Sequence, residues 1–134
     1  MRINYLLGDM VTGIRNGYKA RLMSVKVKDS KLNVEVINIL FRYGLIAGFS
    51  MNVGKSKVKL FLKYNKGMPI WYNIQLISTP GKRVYSSKKK IFRELRSSQN
   101  SGFYIVSTKF GIVTSDDLLC MESVGGEVLV KIEL

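Results

Sequence analysis

Val106-Ser107-Thr108-Lys109-Phe110-Gly111-Ile112-Val113-Thr114 reads as two apolar arms closing on a polar tip. Phe103 to Val106 is the kind of short apolar run that fills a buried strand, and Ile112 and Val113 begin its return after a tight connection. The connection carries two hydroxyls, Ser107 and Thr108, followed by Lys109, Phe110 and Gly111. Thr114 with Asp117 three residues on has the spacing of a capping pair, which predicts a helix of one or two turns directly after the return strand. Gly125 and Gly126 then open a last strand, Glu127 to Leu134, in which alternation places Val128, Val130, Ile132 and Leu134 on one face. These pieces predict an antiparallel β-rich domain with short helices.

Upstream, Ile70 to Ser78 reads as a strand carrying Trp71 and Tyr72, and Thr79-Pro80-Gly81 turns the chain into a brief extended piece, Lys82 to Tyr85. Lys88 to Arg96 is a short basic helix with Ile91, Phe92 and Leu95 inward, and Ser97 to Gly102 is a loop. Asn65 to Pro69, punctuated by Gly67 and Pro69, is a natural break. It divides the chain into an N-terminal domain, 1–66, and a C-terminal domain, 67–134. In the first, Asp9 is suited to cap a helix with Met10, Ile14 and Tyr18 on one face. Ser24 to Lys28 alternates as a strand. Ser30 caps a second helix that runs to about Tyr43, with Gly44 just beyond its end; its β-branched content favours strand, but its length favours helix more. A hairpin follows, with Leu45 to Met51 as one arm, Asn52 to Lys55 as the turn and Ser56 to Tyr64 as the other arm. Val58, Leu60 and Leu62 share one face of that second arm; Lys57, Lys59, Lys63 and Phe61 share the other. The whole is an α+β chain of two small domains, helix-strand-helix-hairpin and then β-rich.

Composition narrows the chemistry. Hydrophobic residues make up 46% of the 134, so a packed core is within reach. Twenty-two Lys and Arg stand against nine Asp and Glu, for a net charge of +13. A folded domain this basic repels itself unless a polyanion compensates, and nucleic acid is the first such partner. Residues 1–67 hold 13 basic and 3 acidic side chains, a net +10, and residues 68–134 hold 9 and 6, a net +3. The N-terminal half is therefore the stronger electrostatic anchor, and recognition by the C-terminal half must rest on more than charge. There is no histidine, the commonest general base and metal ligand. The single cysteine, Cys120, allows neither an intramolecular disulfide nor a cysteine metal cluster, and its apolar neighbours Leu118, Leu119 and Met121 read as burial. Met1 to Gly8 is too short for a signal peptide or a membrane span. The abundance of Ile, Lys, Asn, Tyr and Phe and the scarcity of Ala fit an AT-rich, organelle-encoded gene, mitochondrial before plastid, with a bacterial cytoplasm as the alternative.

The tip, the Val124-Gly125-Gly126-Glu127-Val128 opening of the last strand and Ser78-Thr79-Pro80-Gly81-Lys82-Arg83-Val84-Tyr85 together resemble the universal small-subunit ribosomal protein eight family. Asp9-Met10-Val11-Thr12-Gly13-Ile14-Arg15-Asn16 and the Ser30-Lys31-Leu32 helix start resemble its N-terminal domain. The likeness follows the family's order over nearly the whole chain. It implies a structural ribosomal protein that binds the central domain of small-subunit ribosomal RNA and assists assembly, among neighbouring small-subunit proteins. It implies no catalysis, cofactor, metal, small-molecule substrate or membrane. Carried over by position, RNA would be met by Ser107, Thr108, Lys109, Gly111, Tyr85, Arg83, Gly125, Gly126 and Glu127, with Asp9, Thr12, Arg15, Asn16 and Lys31 added by the first domain. The sequence departs from the family at Lys109-Phe110, where the basic residue is displaced by one place, at Thr79, where the family has a basic residue, and at Leu134, where it has an aromatic one. Three rivals remain on the residues alone. One is a messenger-RNA-binding repressor that never enters ribosomes. Another is a phosphate-directed enzyme using Asp116 and Asp117, though adjacent helical carboxylates point apart. The last is a basic membrane-surface protein, for which neither N-terminal helix has the required aromatic and leucine face.

Overall fold

A computed structural model describes residues 6–52, 56–70, 72–97, 102–121 and 125–134 of the chain. The fold is α+β, and the chain divides into two compact units, Met1–Trp71 and Tyr72–Leu134. The expected divide at residue 66 falls inside a small ribbon of the first unit, in which β4 (Tyr64–Asn65) pairs with β5 (Met68–Pro69). Lys66 and Gly67, both at positive φ, make the turn that folds this ribbon back on itself. What reads as a linker is thus a two-residue hairpin. The turn at 53–55, Trp71, the loop residues 98–101 and Val124 lie outside the described residues.

In the first unit α1 (Leu6–Lys19) buries Leu7, Met10, Val11, Ile14 and Gly17 along one stripe. Leu7 extends that stripe a turn upstream of Met10, so Asp9 lies within the first turn of the helix rather than capping it. Strand β1 (Ser24–Lys28) runs under the helix, and a Cβ on Gly17 would come within 2.6 Å of Val25. Helix α2 (Lys31–Arg42) begins where expected, with the Ser30 hydroxyl accepting from the Asn33 amide at 3.1 Å. It ends at Tyr43, and Gly44 takes φ +73 as the helix is left. Buried Asn33 donates from Nδ2 to the Lys28 carbonyl at 3.1 Å and to the Leu6 carbonyl at 3.4 Å, tying the starts of both helices to the end of β1.

The hairpin arms are β2 (Gly48–Asn52) and β3 (Lys57–Phe61), and the sheet order is β1-β3-β2, all antiparallel. Val58, Leu60 and Leu62 are buried as expected. Lys63 leaves the lysine row: β3 stops at Phe61, and the Lys63 ammonium donates to the Gly44 carbonyl at 3.1 Å. The carbonyls past the end of α2 attract a cation.

The second unit is built on β10 (Gly126–Glu133), which pairs antiparallel with β6 (Asn73–Leu76), β7 (Tyr85–Ser86) and β8 (Gly102–Thr108). β8 in turn pairs with β9 (Gly111–Thr114). α3 (Lys88–Ser97) and α4 (Ser115–Leu118) cover one face, where Ile91, Tyr104, Val106, Leu118 and Val128 are packed together with Phe92 and Leu95. Burial pushes the Tyr104 phenol above its usual range; nearby Glu94, which accepts its hydrogen bond at 3.4 Å, adds to the rise and Lys131 opposes it.

The last strand does not alternate as its sequence reads. Val128 pairs with Val106 but Val130 pairs with Ile105, so Leu129 is an extra residue, a bulge. Val106 and Ile105 are successive residues of one strand, so Val128 and Val130 are turned to opposite faces. Leu134 is exposed. Cys120 is exposed as well: Leu118 takes the buried position at the end of α4, and the turn after it carries Leu119 and Cys120 outward. The capping box forms as expected. Thr114 Oγ1 accepts from the Asp117 amide and Asp117 accepts from the Thr114 amide, both at 3.2 Å. Thr114→Ala is expected to cost about 1 kcal/mol of stability, read as a lower Tm in a thermal melt, with Thr114→Ser keeping most of it. An unchanged Tm for the alanine variant would show that the box contributes nothing.

Candidate nucleic-acid interface

The register of the C-terminal sheet assembles a site from separate strands. Glu127 pairs with Tyr85 on β7 and with Ser107 on β8, and Ser107 pairs with Ile112 on β9. Directly paired residues share a face, so Tyr85, Glu127, Ser107 and Ile112 form one row across four strands. Val106, beside Ser107, points into the core under α3 and α4, so the row lies on the face away from those helices. Tyr85 is 67% exposed, which makes it a surface ring rather than core packing. The Arg83 guanidinium meets Glu127 Oε2 at 3.1 Å, with the carboxylate side chain only 16% exposed. The pair offsets the one negative charge of the row, which would otherwise repel phosphate.

The tip is held from within. The Thr108 hydroxyl donates to the Gly111 carbonyl at 2.9 Å and accepts from the Phe110 amide at 3.1 Å, so one side chain closes the turn. Gly111, at φ +120, completes a return that other residues reach only with strain. Ser107 and Thr108 are neighbours on a strand and face opposite ways, so they are not a hydroxyl pair on one surface. Ser107 belongs to the row, and Thr108 shapes the tip. Lys109 and Phe110 project from the end: Phe110 is 64% exposed, and the Lys109 ammonium lies 5.0 Å from its ring centroid. Phe110 therefore does not pack inward. Gly126 lets the strands close behind the tip, because a Cβ there would stand 2.1 Å from the Ser107 carbonyl oxygen. A Cβ on Gly125 would stand 2.7 Å from the Ser86 carbonyl oxygen.

On the helix-covered side of the sheet, α3 lines an open cleft of about 1110 Å³ with Lys88, Lys89, Phe92, Arg93 and Arg96, reaching Gly125. Lys88 also donates to the Met121 carbonyl at 2.6 Å. The meeting of α3 with Gly125 in one cleft is visible only in three dimensions.

In the first unit, Asp9, Thr12, Arg15 and Asn16 are all exposed on α1, opposite its buried stripe, and Lys31 is exposed at the start of α2. Asp9 shares a pocket of about 220 Å³ with Lys26, Lys28 and Lys57. Among the described residues no three His, Cys, Asp or Glu side chains converge as metal ligands would, and Asp117 is engaged in the cap of α4. No helix among the described residues is long and apolar enough to cross a membrane.

The profile of the ribosomal protein S8 family matches residues 6–132. The chain belongs to that family. It is 41% identical over 127 residues to the small ribosomal subunit protein uS8m of Acanthamoeba castellanii, covering 95% of this chain and 98% of that protein. It is 41% identical over 128 residues to the uS8 protein of Rhizorhabdus wittichii, covering 94% and 95%. With that of Rhodospirillum centenum it shares 38% over 135 residues, covering 98% and 99%.

Proposed function

We propose that this small-subunit ribosomal protein binds folded small-subunit ribosomal RNA, in its central domain, through the row and tip of the C-terminal unit. The observation that carries the reading is the alignment of Tyr85, Glu127 and Ser107 across three strands beside a tip that ends in Lys109 and Phe110. Irregular RNA offers 2′-hydroxyls, displaced base edges and unstacked faces. A serine hydroxyl, a neutralised carboxylate that can accept from base amino groups, and an exposed tyrosine ring match those three features. Lysine and arginine supply affinity through counterion release, and the row supplies fit. Asp9, Thr12, Arg15, Asn16 and Lys31 add contacts from the first unit. The role is structural and not catalytic, and it serves assembly among neighbouring small-subunit proteins. A mitochondrial location is favoured by the Ile-, Lys- and Asn-rich, Ala-poor composition and by the likeness to the Acanthamoeba protein, whose name carries the mitochondrial suffix.

Ultraviolet crosslinking in cells, mapped to nucleotides, tests this. Crosslinks from the 107–111 tip and Tyr85 should fall on one irregular helix of small-subunit RNA, and the protein should sediment with assembled subunits. Crosslinks confined to messenger RNA, with the protein absent from subunits, would establish the repressor instead.

A further inference from the structure

The outer face of the first unit's sheet carries charge where charge is costly. Lys26 pairs directly with Lys59, and Lys28 with Lys57, across β1 and β3. Side chains so paired stand about 5 Å apart at Cβ, and like charges placed there destabilise a sheet. β1, β2 and β3 carry no Asp or Glu at all. Asp9 shares a pocket with three of the lysines, but no ion pair joins it to them among the described residues. Edge protection explains lysines on the outer strand β1, but Lys57 and Lys59 stand on β3, the central strand. Phe61 is on the same face, 38% exposed, with the Lys59 ammonium 5.3 Å from its ring centroid. Its neighbours across the sheet are Ser24 and Gly48, so nothing large crowds the ring from either side.

We infer that this face is a second RNA-binding surface, made for the backbone of a single polynucleotide strand. Two rows of paired ammonium groups, separated by two residues of strand or about 6.7 Å, match the distance between neighbouring phosphates on one strand. The phenyl ring beside them offers a stacking platform for a base. The polyanion relieves the repulsion that the sheet otherwise bears. The surface is distinct from the row and tip of the C-terminal unit, and each stands or falls separately.

The test uses the full chain and a fluorescein-labelled oligouridylate, with affinity followed by anisotropy against salt. The variant with Lys26, Lys28, Lys57 and Lys59 all changed to Gln should lower the log–log salt slope by about 3, since each phosphate contact on a single strand contributes about 0.7. The same four changed to Arg should keep the slope. Phe61→Ala should weaken binding about fivefold or more while the slope stays, as expected for a lost stacking contact. The Gln variant should also melt no lower than the parent, because it removes like-charge pairs. An unaltered slope in the Gln variant, or a slope lost equally in the Arg variant, overturns the inference. So does preferential retention of the protein on phosphatidylserine vesicles when oligouridylate competes. The tip is tested by small-subunit RNA affinity on changing Ser107 and Thr108, a readout independent of this slope.

Discussion

Gly126→Ala is expected to lower the Tm of the full chain by on the order of 10 °C and to weaken RNA binding with it. The added methyl would have to occupy space 2.1 Å from the Ser107 carbonyl oxygen and 3.0 Å from its carbon. That neighbour is backbone, not the end of a flexible side chain, so β8 and β10 must separate where they meet. Overpacking of this kind costs roughly 1–3 kcal/mol. In a unit of this size each kcal/mol moves Tm by about 4–8 °C. The loss of binding follows from place: Glu127 pairs with both Tyr85 and Ser107, so moving β10 breaks the row at its centre. Gly13→Ala is the internal contrast. It lies in α1 with no atom within 4 Å of its Cβ, so the change should stabilise slightly through helix propensity. If Gly126→Ala melts like the parent and binds RNA as well, the strands are not closed behind the tip as described.

What the sequence made legible follows the range of the forces involved. Ser30, Thr114 with Asp117 and Gly44 were readable because caps and helix ends are settled within three or four residues. The burial of Val58, Leu60 and Leu62 was readable because strand alternation is local. Val128 was placed on the wrong face because the bulge at Leu129 arises from pairing with β8, a strand some twenty residues away. Cys120 was placed inside because its neighbours are apolar, whereas the turn after α4 decides its direction. Lys63 was counted in the lysine row until the carbonyl of Gly44, nineteen residues upstream, claimed it. The site behaves in the same way. The tip is contiguous and could be quoted from sequence. The ion pair of Arg83 with Glu127 spans 44 residues and could not. Tyr85, Glu127 and Ser107 were named through a family resemblance, and their alignment in one row is a property of register alone.

Changing Ser107 and Thr108 together to Ala is expected to weaken binding to small-subunit RNA by roughly 1–3 kcal/mol, or about 5- to 150-fold, read by filter binding or anisotropy at fixed salt. The two positions should contribute by different routes. Ser107 stands in the row, so Ser107→Ala removes a hydroxyl that RNA would meet and leaves the fold as it is. Thr108 spends its hydroxyl on the Gly111 carbonyl and the Phe110 amide, so Thr108→Ala acts by loosening the turn that presents Lys109 and Phe110. Thr108→Ser restores the latch and should recover most of the affinity. Ser107→Thr adds a methyl in the row beside Glu127 and should not. Neither hydroxyl carries charge, so the salt slope should stay constant while the affinity falls, the signature of lost fit rather than lost phosphate contact. Unchanged affinity in the double variant would remove the tip from the interface. A loss with Thr108→Ser as large as with Thr108→Ala would show that the threonine methyl, not the latch, is what the RNA senses.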